Sequence, residues 1–148
     1  MADYTPIISR LEKADRADRE LDVFVYAAVY GWELAYNRNN LLIADTGKFR
    51  ECIGTIDPGK HQRNFSTGRD DIPRYTDSLD ATIALCERML AECDLRVEKW
   101  CGEYLASAEY VASADGDDLI FAGSGKGATP AIALLLALFR ALQEQESD

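Results

Sequence analysis

The chain has 148 residues, of which 47% are hydrophobic and 9% aromatic, and its formal net charge is −10. This length predicts one domain, and the hydrophobic fraction is large enough for a core, which argues against intrinsic disorder. The longest apolar run, residues 131–139, is far shorter than the roughly 20 residues that a membrane helix needs. The N-terminus also lacks the layout of a signal peptide, so we expect a cytoplasmic protein.

The charge is unevenly distributed along the chain. Residues 38–74 carry 7 basic and 5 acidic groups, a balance of +2, whereas residues 1–37, 75–100 and 101–148 have balances of −3, −3 and −6. An acidic protein disfavours direct nucleic-acid binding. The mildly basic central segment is therefore the electrostatic feature most relevant to recognition.

Two helices are predicted in the first 31 residues. Thr5 and Pro6 fit an N-cap and a first helical position. The charged stretch 15–19 interrupts the pattern, and apolar residues at 21, 24, 25, 28 and 29 then form one helical face that Gly31 ends. A single helix over 6–30 is the alternative.

The central segment predicts a hairpin followed by a long loop. Residues 41–44 and 49–53 flank the turn-forming stretch 45–48. Residues 57–73 are rich in turn formers and poor in apolar residues, so we expect a loop there.

The rest of the chain predicts a helix, a meander and a second helix. The first helix covers 75–93, with Thr76 or Ser78 as its cap. Strands are expected at 95–99, 104–113 and 118–122, with a hairpin turn at 114–117. Thr129 and Pro130 then begin a buried helix that runs to about Glu144 and packs on the meander.

These elements predict an α+β fold, in which a small antiparallel sheet packs with about three to four helices in sandwich-like layers. We expect a single domain over residues 1–148, with a variable, basic, loop-bearing segment at about 32–74. The pattern leaves open whether this segment joins the main sheet.

Two segments are candidate ligand-binding sites. In the glycine-rich stretch before the last helix, backbone N–H groups and a lysine could bind a phosphate. A plain strand-to-helix connection has the same composition. The candidate residues are Gly125, Lys126, Gly127 and Thr129. The basic loop could recognise an anion or a partner surface, although a solvated loop with local ion pairs fits equally; its candidates are Lys60, His61, Arg63, Phe65, Arg69, Arg74 and Tyr75.

The sequence gives little support to catalysis or to metal binding. His61 is the only histidine, and the four cysteines show no C-x-x-C spacing. We interpret the cysteines as small buried hydrophobic residues rather than zinc ligands. We therefore expect no catalytic residues, metal or cofactor, and no enzyme activity.

Three motifs resemble the phage ABA-sandwich domain family. Residues 71–81 (DIPRYTDSLDA) and 127–134 (GATPAIAL) resemble two helix starts of that family, and Arg19–Asp22 (RELD) resembles its N-terminal motif. The resemblance spans roughly the whole chain in order, and it has one departure: a strand-bearing segment at 32–70 fills the region before the motif at 71–81. It implies a phage or prophage origin, a bacterial host cytoplasm, helices packed on a small sheet, and no assigned chemistry.

The resemblance and the lack of a catalytic constellation favour an accessory protein that acts by binding. The first hypothesis is a host-interaction or counter-defence protein that grips a host protein. The second is sequestration of a small anionic molecule, such as a signalling nucleotide, by Lys126 and the basic loop. The third is a virion or assembly component. A homo-oligomer fits because a three-stranded meander has open edges.

Overall fold

The structure, a computed structural model, describes residues 2–58, 63–90, 92–114 and 116–147, with only the backbone described at 57, 58, 63, 64, 113, 114, 117 and 147. The predicted α+β class is confirmed: the described residues form four helices and two antiparallel sheets. In chain order the elements are α1 (Thr5–Lys13), α2 (Arg19–Tyr30), β1 (Glu33–Tyr36), β2 (Leu41–Asp45), β3 (Arg50–Pro58), β4 (Arg63–Ser66), α3 (Leu79–Met89), β5 (Asp94–Trp100), β6 (Glu103–Ala114), β7 (Asp117–Gly127) and α4 (Pro130–Ser147).

The chain divides into two compact units. One comprises residues 18–73, and the other comprises residues 1–17 together with 74–148. The sheet β1-β2-β3-β4 belongs to the first unit and the sheet β5-β6-β7 to the second, so the segment 32–74 forms a sheet of its own. That one domain covers residues 1–148 stays a prediction.

In the unit of residues 18–73, helix α2 accompanies a four-stranded antiparallel meander. The predicted hairpin is confirmed as β2 and β3. The loop predicted over 57–73 is wrong at Arg63–Ser66, where β4 pairs with β3 and Phe65 lies opposite Ile56. Only one of the four residues of β4 is apolar, so the sequence has no alternation of apolar and polar residues that could predict this strand. Strand β1 is equally short, and the sequence does not predict it either.

The two N-terminal helices are confirmed and the single long helix is wrong. Asp18 caps α2 by accepting a hydrogen bond from the Glu20 N–H, and Gly31 ends the helix with a φ of 73°. The predicted cap of α1 is shifted by one residue, because Tyr4 occupies the N-cap position without a side-chain hydrogen bond and Thr5 is the first helical residue.

In the other unit, the meander β5-β6-β7 is confirmed, but β7 is longer than predicted. It continues through residues 123–127, and Gly127 pairs with Tyr104 of β6. The interpretation of this stretch as a connection is therefore wrong. Helix α3 is shorter than predicted, since Ser78 caps it by accepting from the Ala81 N–H at 3.1 Å, and residues 75–77 precede it in a turn.

Helix α4 packs on one face of this meander, as predicted. Each residue from Ala131 to Phe139 is at most 1% exposed. The helix lies so close to β7 that a Cβ added at Gly123, Gly125 or Gly127 would come within 3.0 Å of helix atoms, including backbone atoms of Ala133 and Ala137. Glycine at these alternate positions therefore permits the close approach of helix and strand.

The cysteines only partly follow the prediction. Cys86 is buried, and burial raises the pKa of its thiol to about 12. Cys52 and Cys101 are exposed and Cys93 is half-buried, so the interpretation as buried hydrophobic residues is wrong for the two exposed thiols. Among the described residues, no cluster of three His, Cys, Asp or Glu side chains is placed to hold a metal ion. No helix in the described ranges is long and apolar enough to cross a membrane.

Candidate functional site: an aromatic–arginine cluster

The start of helix α2 fixes the segment that follows β4. The Arg19 guanidinium donates to the backbone oxygens of Arg69, at 3.2 Å, and Pro73, at 3.1 Å. It also forms a 3.3 Å ion pair with Asp22, whose side chain is 3% exposed. The first residue of the RELD motif thus holds both ends of residues 69–73 against the unit's interior.

Arg69 is fixed in this segment by two carboxylates. Its Nε and Nη2 donate to the two oxygens of Asp71, at 2.8 and 2.7 Å, and its Nη1 donates to Glu51 on β3 at 3.0 Å. Hydrogen bonding to Asp71 raises the pKa of Arg69, and the same contact lowers the pKa of Asp71. A bidentate pair of this geometry locks the guanidinium plane.

One aromatic ring lies beside this guanidinium, and two more rings pack with it. The Arg69 Cζ is 5.8 Å from the Trp32 ring centroid, within cation–π range. Trp32 contacts Tyr26 edge-on, with centroids 5.3 Å apart, and Tyr26 contacts Tyr30 at 4.5 Å. We call Tyr26, Tyr30, Trp32 and Arg69 the aromatic–arginine cluster.

Local sequence explains why the rings meet. Tyr26 and Tyr30 are four residues apart on α2, so they share one face of the helix. Gly31 takes the left-handed conformation, and the Trp32 N–H then donates to the Ala27 oxygen at 2.9 Å. This turn at the helix end returns Trp32 to the side of the helix that carries Tyr26.

The cluster is both anchored and accessible. Tyr26 and Trp32 pack against the buried core of their unit, which consists of Val23, Leu42, Ala44, Ile53 and Ile72. Tyr30 is 48% exposed and the Arg69 side chain 30% exposed. The cluster therefore exposes aromatic and cationic surface to solvent, while Tyr26 and Trp32 are held in place by the core of the unit.

Of the predicted basic-loop residues whose side chains the structure describes, only Arg69 belongs to this cluster. Arg69 is part of it, whereas Phe65 packs against the same core and the Arg74 oxygen accepts the N–H groups of Asp77 and Ser78 in a turn. Tyr75 is buried, 4% exposed, in the other unit. Lys60, His61 and the side chain of Arg63 lie outside the described residues.

The residues predicted in the glycine-rich stretch have structural contacts in the unit that contains α4. Gly125 and Gly127 face α4, as described above. Thr129 caps this helix by accepting from the Ile132 N–H at 3.0 Å, and its hydroxyl donates to the Thr76 oxygen. The Lys126 ammonium pairs with Glu103 at 2.8 Å, and this contact raises the pKa of Lys126.

Lys126 also lines a shallow groove of about 440 Å³ on the three-stranded sheet. Its charged lining includes Arg96, Glu98 and Arg140. Arg140 pairs with Glu12 at 3.5 Å, and Lys126 is already paired with Glu103. Because carboxylates face these cations, an anion would have to compete with them for binding.

The sequence contained a signal for the missed members of the cluster. Tyr26 and Tyr30 are four residues apart, at helical spacing, and Trp32 follows the Gly31 stop, but the predicted face of this helix includes none of the three. Glu51 was not predicted as a partner of Arg69 because it is 18 residues away, on another strand.

Comparisons with models of known families, with curated proteins and with solved structures find no match to this chain.

Proposed function

We propose that the protein acts by binding a partner protein through the aromatic–arginine cluster. The observation that carries this proposal is the Arg69 guanidinium, fixed by Asp71 and Glu51 and placed over Trp32. Tryptophan, tyrosine and arginine are the residues most enriched at the energetic centres of protein interfaces.

Preorganisation strengthens this assignment. An arginine side chain carries about 2 kcal/mol of rotamer entropy, much of which is lost when it is immobilised. Arg69 is already immobilised by three hydrogen bonds to carboxylates. A partner that contacts this surface would therefore not have to order the side chain, and more of the contact energy would contribute to affinity.

The rim of the cluster indicates the charge of the partner. The side chains of Asp71 and Glu51 are 56% and 39% exposed, and the whole chain has a net charge of −10. A partner with basic residues around an apolar contact would complement this rim and associate faster at low salt.

The resemblance to phage proteins supports a partner from the bacterial host, with host interaction or counter-defence as the setting. A small anionic ligand is the weaker candidate, because Lys126 and Arg140 already face carboxylates. An assembly role has no specific feature in its favour.

Affinity capture from a bacterial lysate tests the proposal with a matched pair of variants. Tyr30→Ala removes an exposed ring of the cluster, whereas Phe49→Ala removes a ring of the same unit that is 58% exposed and lies outside the cluster. We expect a host protein that is retained by the wild type and by Phe49→Ala and lost with Tyr30→Ala. The proposal is wrong if all three chains retain the same proteins, or if the wild type retains none.

A further inference from the structure

Strand β5 is the open edge of the three-stranded sheet. It pairs along its full length with β6, from Asp94 opposite Glu109 to Trp100 opposite Glu103. Among the described residues, no strand lies on its other side. Five of its seven residues are exposed, and Trp100 is 68% exposed.

The opposite edge of the same sheet is protected. On β7, the Ala122 N–H donates to the Glu144 carboxylate at 2.9 Å, and Arg140 donates to the Ser124 oxygen at 2.7 Å. Both side chains come from α4, so the helix blocks further strand pairing at that edge. In the part of the chain that the structure describes, no side chain does the same for the backbone of β5.

The charges of β5 are complementary to a second copy of the same strand in the antiparallel register centred on Val97, which is also the register that pairs all seven residues of the strand. Antiparallel pairing centred on Val97 places Arg96 opposite Glu98 of the second copy, and Glu98 opposite Arg96 of the second copy. Pairing centred on Arg96 would instead place arginine opposite arginine and Asp94 opposite Glu98. Cross-strand pairs of opposite charge stabilise a sheet and like charges destabilise it, so the first register is favoured.

We propose that two copies of this chain associate through β5, antiparallel and centred on Val97, to form a continuous six-stranded sheet. The unpaired backbone N–H and C=O groups of the two β5 strands would form hydrogen bonds with each other across a two-fold axis. The outer edges of the new sheet would be the two β7 strands, which α4 protects, so the association closes at two copies.

Analytical ultracentrifugation of the full chain, between about 1 µM and 1 mM to cover weak interfaces, tests this proposal. The wild type is expected to shift with concentration from 16.4 kDa to twice that mass. Arg96→Glu and Glu98→Arg should each weaken the dimer at least about tenfold, because both cross-strand ion pairs become like-charge pairs. The double variant Arg96→Glu/Glu98→Arg restores both pairs and should restore the dimer.

Glu109→Arg is the matched control, since it reverses an exposed charge on β6, the strand that is already paired on both sides. It should dimerise as the wild type does. Circular dichroism will check that each variant is folded. A wild type that stays monomeric at all concentrations would overturn the proposal, and so would single charge reversals that dimerise like the wild type, or a double variant that does not recover.

Discussion

At the scale of single residues, the most informative contact is the one between Arg69 and Asp71. Both belong to the segment for which the sequence predicts either a recognition loop or a solvated loop with local ion pairs. The structure shows such a local pair, in which Arg69 donates two hydrogen bonds to Asp71. Arg19 donates to the backbone oxygen of Arg69, and the Arg69 guanidinium lies over the Trp32 ring. Local ion pairing and recognition are therefore compatible here, because the pairing is what orients the guanidinium.

This pairing should be visible in the titration of Asp71. Hydrogen bonding from Arg69 lowers the pKa of Asp71 in the folded chain. The pair therefore contributes stability above the pKa that Asp71 has when unfolded, and the contribution is lost as the pH falls through the lowered folded value. In Arg69→Gln, a carboxyl-detected NMR titration should show the pKa of Asp71 rising towards its ordinary value.

Asp45 provides an internal reference in the same titration. Its pKa is lowered first by the backbone N–H of Gly47 and only then by Arg50, and neither contact involves Arg69. The pKa of Asp45 should therefore be the same in both chains. Equal pKa values for Asp71 in the wild type and the variant would show that Arg69 does not hold this carboxylate.

At the scale of elements, the sequence predicted the long helices and the meander and missed the short strands. The predictions succeeded where apolar residues recur at helical spacing, as on α2. They also succeeded where an N-cap residue precedes a long run of apolar residues, as on α4. They failed for β1 and β4, which are four residues each and depend on pairing with a neighbour. They failed again at residues 123–127, where three glycines are typical of a loop. In the structure these glycines belong to β7 and lie against helix α4.

The packing role of these glycines can be tested at Gly125. A Cβ added there would come closer than 3.0 Å to the backbone of Ala133 and Ala137. Gly125→Ala should therefore lower the free energy of unfolding by about 1–3 kcal/mol, the usual cost of overpacking a core. Urea unfolding followed by circular dichroism gives this value.

The neighbouring substitution Ser124→Ala is the control. Ser124 lies on the same strand with its side chain exposed, so the change should stay within about 0.5 kcal/mol, as for most surface substitutions. If Gly125→Ala were as stable as Ser124→Ala, the helix would not rest on this strand as closely as the structure shows, and the phosphate-binding hypothesis for the glycines would regain weight.

At the scale of the whole molecule, the two proposed surfaces belong to different compact units. The aromatic–arginine cluster lies within residues 18–73, and the edge of β5 lies in the unit that contains α4. The basic segment of the sequence drew attention to the first unit, and Arg69 is among its candidate residues. The sequence alone could not identify Trp32 as the ring beside Arg69, since a contact between a helix end and a segment nearly 40 residues later follows from tertiary packing.

The most direct test of the central claim is the affinity of the purified partner, measured by calorimetry for the wild type, Arg69→Lys and Arg50→Lys. Lysine keeps the charge but loses the planar guanidinium that pairs with Asp71 and lies over Trp32. We expect Arg69→Lys to weaken binding by about ten- to a hundredfold, or about 1.4–2.7 kcal/mol. Arg50, an exposed arginine of the same unit that is paired with Asp45, should tolerate the same change without loss of affinity. Equal affinities for the two variants would contradict binding through the aromatic–arginine cluster.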